Sequence, residues 1–184
     1  MQADFEFTPD DHVAFVTIHN ERSPTIRKQR RSLIGVVVFF MWALPALILL
    51  TTDKPILETA KAIRPLLVGA FGSVVFLLIF FPYLRWKVTR MTKRMLAEGQ
   101  NTGLYGPCSL SIEANGLRET KPTGESSRNW STVERVLVTD THAFIYTSAT
   151  EAFVLPRRAF QGTEAFQHFV DELSECGGVV QEIV

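Results

Sequence analysis

The chain has 184 residues, enough for one modest domain plus accessory segments. Nineteen basic and nineteen acidic residues cancel, so bulk charge singles out no class of partner and the distribution of charge carries the information. Two cysteines, Cys108 and Cys176, are too few for a zinc pattern or a disulfide framework and read as buried or idle thiols.

At the start, Asp4-Phe5-Glu6-Phe7 alternates like a strand. Thr8 suits a helix N-cap, Pro9 the first helical position, and Asp10 and Asp11 the first turn, where the helix dipole favours anions. A short helix to about Asn20 follows. His12 and His19, seven apart, have no third ligand nearby and read as surface residues rather than a metal site. Ser23-Pro24 can open the next helix.

From Ser32 to Leu50 no Asp, Glu, Lys, Arg or His occurs, and the same is true from Leu66 to Leu84. At about 1.5 Å per residue each run reaches roughly 27 Å, close to the hydrocarbon thickness of a bilayer. Neither shows the polar stripe of a helix lying on a soluble core. An export signal fits the first run poorly, because it starts far from Met1, lacks a small-residue cleavage pattern and has a twin downstream. Two membrane-spanning helices are expected. Without Asp, Glu, Lys, Arg or His in the spans, a transporter or pump is disfavoured.

Cations set the orientation. Arg27, Lys28, Arg30 and Arg31 precede the first run, and Arg85, Lys87, Arg90, Lys93 and Arg94 follow the second. The connector between them holds only Lys54, Lys61 and Arg64, offset by Asp53 and Glu58. Nine cations against three place both outer flanks in the cytoplasm and the connector outside. Arg27, Lys28, Arg30, Arg31, Arg85 and Lys87 are the expected interfacial cations, with Tyr83 and Trp86 in the aromatic belt and Trp42 packing mid-span.

Pro45 should kink the first helix, Pro65 can start the second, and Gly99 and Gly103 offer stops. A helix from Pro65 to Ala97 would be about 50 Å long and protrude from the lipid. Leu84, Val88, Met91 and Met95 share a face of that extension and call for a partner. Gly69 and Ser73, four apart, form a small-residue face for helix packing, either within the hairpin or in a dimer.

After Gly103 the hydrophobic period shortens to two. SLSIEANGLRE carries alternating Leu110 and Ile112 and the turn signal Asn115-Gly116. Leu117–Lys121, Ser126–Trp130 and then ERVLVTD, AFIYTS and EAFVLP read as strands parted by short turns. Phe166, Phe169, Val170 and Leu173 define an amphipathic closing helix, which Gly177-Gly178 ends. Five or six antiparallel strands and one helix suggest a small curled sheet or partial barrel, with the helix plugging its open side. Phe5 and Phe7 could add an edge strand to it.

This layout resembles the YcxB-like bacterial membrane proteins, most clearly in IEANGLRE, NWSTVERV and FVLPRRAF. Thr132 stands where an acidic residue is commoner, and Arg157-Arg158 where Lys-Arg is typical. The resemblance implies a pleckstrin-homology-like (PH-like) domain on the cytoplasmic face and no catalytic residues. The fold expected is an α+β membrane protein, a two-helix transmembrane hairpin carrying a small antiparallel PH-like sheet capped by a C-terminal helix. Its segments are 1–31, a cytoplasmic strand and short helix; 32–50 and 66–84, the spans; 51–65, the external connector; 85–103, a helix extension and linker; and 104–184, the PH-like domain.

Arg157 and Arg158 follow a strand and precede a helix start, so they are the candidate contact for an anion, a lipid headgroup or a phosphorylated partner. A pair of arginines in a solvated turn is the plainer reading. Trp130 could stack on a ligand, though anchoring the sheet to the closing helix is favoured. From Leu104 to Val184 eleven acids face six cations, which disfavours nucleic acid and a generic anionic-lipid role for that domain. No GxSxG, phosphate loop, HExxH or paired carboxylate setting appears, so no catalytic, cofactor or metal residues are assigned and an enzyme is not expected. The leading expectation is a multi-pass protein of the bacterial inner membrane, both termini cytoplasmic, displaying a module for protein interaction or envelope sensing. Its partner is unknown and homo-oligomerisation stays open. Anion binding through Arg157 and Arg158, and an enzyme or transport accessory role, are the alternatives.

Overall fold

The computed structural model describes residues 1–51, 59–98 and 103–183. Residues 52–58 of the expected connector and the predicted stop at Gly99 lie outside the described residues, as does the side chain of Pro45, where a kink was expected. The chain divides into two compact units, one made of Met1–Val16 with Thr92–Val184 and the other of Thr17–Met91.

Three helices lie before the main β-region. Helix α1 spans Pro9–Arg22, α2 Pro24–Thr51 and α3 Thr59–Glu98. The Ser23-Pro24 signal places the α2 start correctly. Helix α3 begins several residues before Pro65, which therefore sits inside the helix instead of opening it.

In the Thr17–Met91 unit the small residues of α3 meet α2. The Ser73 hydroxyl donates to the Gly69 carbonyl at 2.8 Å and lies 3.9 Å from Met41 Sδ. A Cβ on Gly72 would stand 2.7 Å from Met41 Cε, so a side chain there would force the thioether to move. Other faces of α3 are bare. Leu67, Val68, Phe71, Leu78 and Ile79 are each more than 60% exposed. Among the described residues one helical stretch, Leu67–Glu98, is long and apolar enough to cross a membrane, with 11% of its most apolar window buried. That is one apolar helix where two spans were expected.

The other unit is built from two four-stranded sheets. Strands β1 (Gln2–Phe7), β2 (Gly106–Glu113), β3 (Gly116–Lys121) and β4 (Gly124–Asn129) follow one another in the first, all antiparallel. The N-terminal strand does join the C-terminal sheet: Phe5 pairs with Cys108 and Phe7 with Gly106. In the second sheet the order is β7 (Ala152–Pro156), β6 (His142–Tyr146), β5 (Arg135–Val138) and β8 (Gln181–Ile183). Strand β8, which the pattern reading does not contain, runs parallel to β5. It follows α4 (Thr163–Gly177), and the Gln181 amide ties it back to that helix through Asp171 at 2.8 Å.

The first hairpin is shifted by one residue from the Asn115-Gly116 signal. Glu113 pairs with Gly116, which leaves Ala114-Asn115 as the loop. Gly116 is required for a different reason. A Cβ there would lie 2.0 Å from the carbonyl oxygen of Arg128 on β4, so only glycine lets the two strands close.

Leu110, Leu117, Val136, Ile145 and Leu155 from both sheets meet Phe166, Phe169, Val170 and Leu173 of α4 in one core. Burying each of these side chains contributes about 1.5–3 kcal/mol, which a sheet of this size needs from its helix. Trp130 sits in the 3-10 turn after β4, donates its indole N–H to Glu113 O at 3.1 Å and packs beside Gly177. It therefore anchors the sheet to the end of α4. All five residues of β6 are buried, because α4 covers one face while Phe15 of α1 approaches Phe144 and Tyr146 on the other, with ring centroids 6.1 and 6.0 Å apart.

Candidate functional site

Arg157 and Arg158 lie in a 3-10 turn directly after β7, at the mouth of a cleft of about 500 Å³. Thr141, His142, Phe160 and Thr163 also line it. The two arginines point to different partners. Arg157 donates to the Asp140 carbonyl at 3.1 Å and to the Thr163 hydroxyl, and its guanidinium lies 6.0 Å from the Phe166 ring centroid.

Arg158 turns instead to the N-terminal segment. Its two terminal nitrogens donate to Asp11 Oδ1 at 2.6 Å and Oδ2 at 2.5 Å, and one of them also reaches the Glu6 carbonyl at 2.9 Å. This is the bidentate geometry in which a guanidinium matches a carboxylate best. Asp11 accepts further bonds from the Thr8 N–H at 2.7 Å, the Thr8 hydroxyl at 2.8 Å and His142 Nε2 at 2.8 Å.

Asp11 is 1% exposed, so an unpaired charge there would be costly. Burial by itself would raise its pKa. The hydrogen bonds from Arg158, His142 and Thr8 outweigh that and hold the carboxyl below the ordinary carboxylate range. Because Asp11 only accepts, Nε2 of His142 carries the proton. In a neutral ring Nδ1 then accepts from the Thr141 hydroxyl, 2.8 Å away. His142 also stacks on Phe144 at 5.6 Å.

The order Thr141, His142, Asp11 has the connectivity of a nucleophile, base and acid. Arg158 changes its meaning by occupying both carboxylate oxygens, so the negative charge compensates a guanidinium before it can serve an imidazolium. What this arrangement does chemically is fasten β1 and α1 to the β6–β7 end of the second sheet. Arg158, singled out as an anion contact, is spent on that clasp, and the geometry weighs against a free double-arginine site.

Residues 112–171 match the family model described as YcxB-like protein. That segment is similar to the YcxB-like family. The YcxB-like stretch runs from the end of β2 into α4 and contains Trp130 and both arginines. Asp11 and Thr8 lie outside it, so the clasp joins the YcxB-like segment to a preceding part of the chain. No curated protein and no solved structure matches this chain.

Of the other singled-out residues, Gly69 and Ser73 come together on α3, and Arg30 lies 5.5 Å from the Phe81 ring. Arg85 pairs with Glu21 at 2.7 Å, Tyr83 and Trp86 have ring centroids 6.0 Å apart, and Arg27, Lys28, Arg31 and Lys87 are exposed. Sequence reasoning missed Asp11 and His142 as a pair. The Thr8-x-x-Asp11 spacing was the available signal, since an acid three residues after a capping threonine can accept its N–H. Among the described residues no cluster of metal-ligating side chains occurs.

Proposed function

We propose that this protein is a non-enzymatic, membrane-anchored carrier of a YcxB-like, PH-like module, which it displays on the cytoplasmic side of a bacterial inner membrane for contact with another protein. The observation that supports this best is the bare apolar surface of α3, combined with the pairing of β1 and β2. The chain leaves the compact unit after Val16 and returns to it at Thr92. If α3 crosses the bilayer, α2 must cross back, because β1 and β2 are strands of one sheet. The cation count on either side of the two apolar runs supports the cytoplasmic orientation.

Two sheets closed by a C-terminal helix also support the PH-like reading. In that reading the membrane hairpin is an insertion between the first and second strands of the module. Strand β4 ends the first sheet with five of its six residues exposed, and an open edge of this kind suits the addition of a partner strand. A photo-crosslinker at Ser127, in intact membranes, should capture one reproducible protein. Recovery of lipid adducts alone would contradict the display role.

A further inference from the structure

A second cleft, of about 500 Å³, lies within the Thr17–Met91 unit, between the end of α1, the start of α2 and the middle of α3. We propose that it binds the headgroup of an anionic phospholipid, a proposal that rests on the membrane reading of α3 made above. Arg22, Arg27, Arg30 and Arg85 line it, against the single acid Glu21. Glu21 is taken by Arg85 at 2.7 Å, and Arg30 lies over Phe81. Arg22 and Arg27 form no ion pair among the described residues, so the cleft keeps an excess of positive charge.

Its remaining wall is apolar, made by Ile26, Phe81, Leu84 and Val88. A free phosphate has no use for such a wall, whereas a diacyl lipid can lay the top of an acyl chain along it and place its phosphate among the guanidinium groups. The depth is also right. Phe81 belongs to the apolar run of α3, and Arg85 and Lys87 follow where that run gives way to cations, at the level of the phosphate layer. This site is separate from Arg157 and Arg158, and it sits in helices whose basic flanks offset the acidic C-terminal module.

Native mass spectrometry of the intact chain, released from mild detergent with equal amounts of phosphatidylglycerol and phosphatidylcholine, tests it. Phosphatidylglycerol should be retained preferentially, and excess inorganic phosphate should not displace it. R22Q/R27Q should lower the preference by roughly 30-fold, equivalent to about 1 kcal/mol for each arginine removed. R27Q alone, at an exposed position, should lower it by roughly 5-fold. R90Q/R94Q removes the same charge from α3 outside the cleft and should leave most of the preference intact. Equal retention of both lipids, or equal loss in the two double variants, would overturn the site. An alkaline wash of the membranes separates this failure from that of the anchoring: a chain that stays with the membranes but shows no preference refutes the headgroup site alone. A chain that washes off refutes the anchoring and the site with it.

Discussion

Asp11 accepts five hydrogen bonds, and three come from residues more than a hundred positions away in the chain. Removing one partner of such a pair strands the other. Asp11→Ala leaves Arg158 half-exposed and free to rehydrate, whereas Arg158→Ala leaves a buried carboxylate with only Thr8 and His142. Arg158→Ala should therefore be the worse of the two, destabilising the compact unit by about 3 kcal/mol in chemical denaturation. The double variant should recover part of this loss, and simple additivity of the two would contradict the clasp. The pH dependence follows from the same carboxyl. Its pKa is lower folded than unfolded, so its contribution is complete above the unfolded value of about 3.9 and fades as pH falls below that. Thermal melting of the wild type should drop on the acid side of about pH 4, and Asp11→Asn should flatten that part of the profile.

At the scale of elements, the first sheet is incomplete without β1. Ala3 of that strand and Leu110 of β2 are both buried, and α1 supplies Phe15 to cover the outer face of β6. A fragment of residues 104–184 should then expose one sheet edge, the aromatic face of Phe144 and Tyr146, and an unpaired Arg158. It should aggregate or give poorly dispersed amide resonances. Fusing residues 1–16 to residues 92–184 through a short glycine-serine linker should restore a cooperative melting transition. A well-folded 104–184 fragment of equal stability would show that β1 is an ornament.

The same elements show what was legible in the chain. Period-two alternation and closely spaced turn residues located β2 to β7 to within a few positions, and the i, i+3, i+4, i+7 pattern located α4, because each signal is local. The one-residue shift at Asn115-Gly116 arose because glycine there answers to the approach of Arg128 on a neighbouring strand, a constraint that turn chemistry does not encode. Strand β8 has three residues, pairs in parallel and carries no alternation long enough to register. The clasp was invisible for a related reason: Asp11 reads as an ordinary first-turn acid, and Arg158 as an ordinary basic turn residue, until the sheets bring them together.

At the scale of the whole molecule, the account predicts an even number of membrane crossings between Val16 and Thr92. Cys176 is exposed on α4, whereas Cys108 is buried with its thiol pushed up to about 12 by burial and the nearby Glu119 carboxylate. Cys176 therefore reports the side on which the compact unit lies, with Cys108 silent at neutral pH. A second reporter, Ile56→Cys in a C176S background, reads the connector. The decisive measurement is labelling of these two single-reporter chains with a membrane-impermeant maleimide, in intact bacteria and again after lysis. The account predicts that Ile56→Cys reacts in intact cells and that Cys176 reacts only after lysis; labelling of Cys176 in intact cells, or protection of Ile56→Cys there, would contradict it.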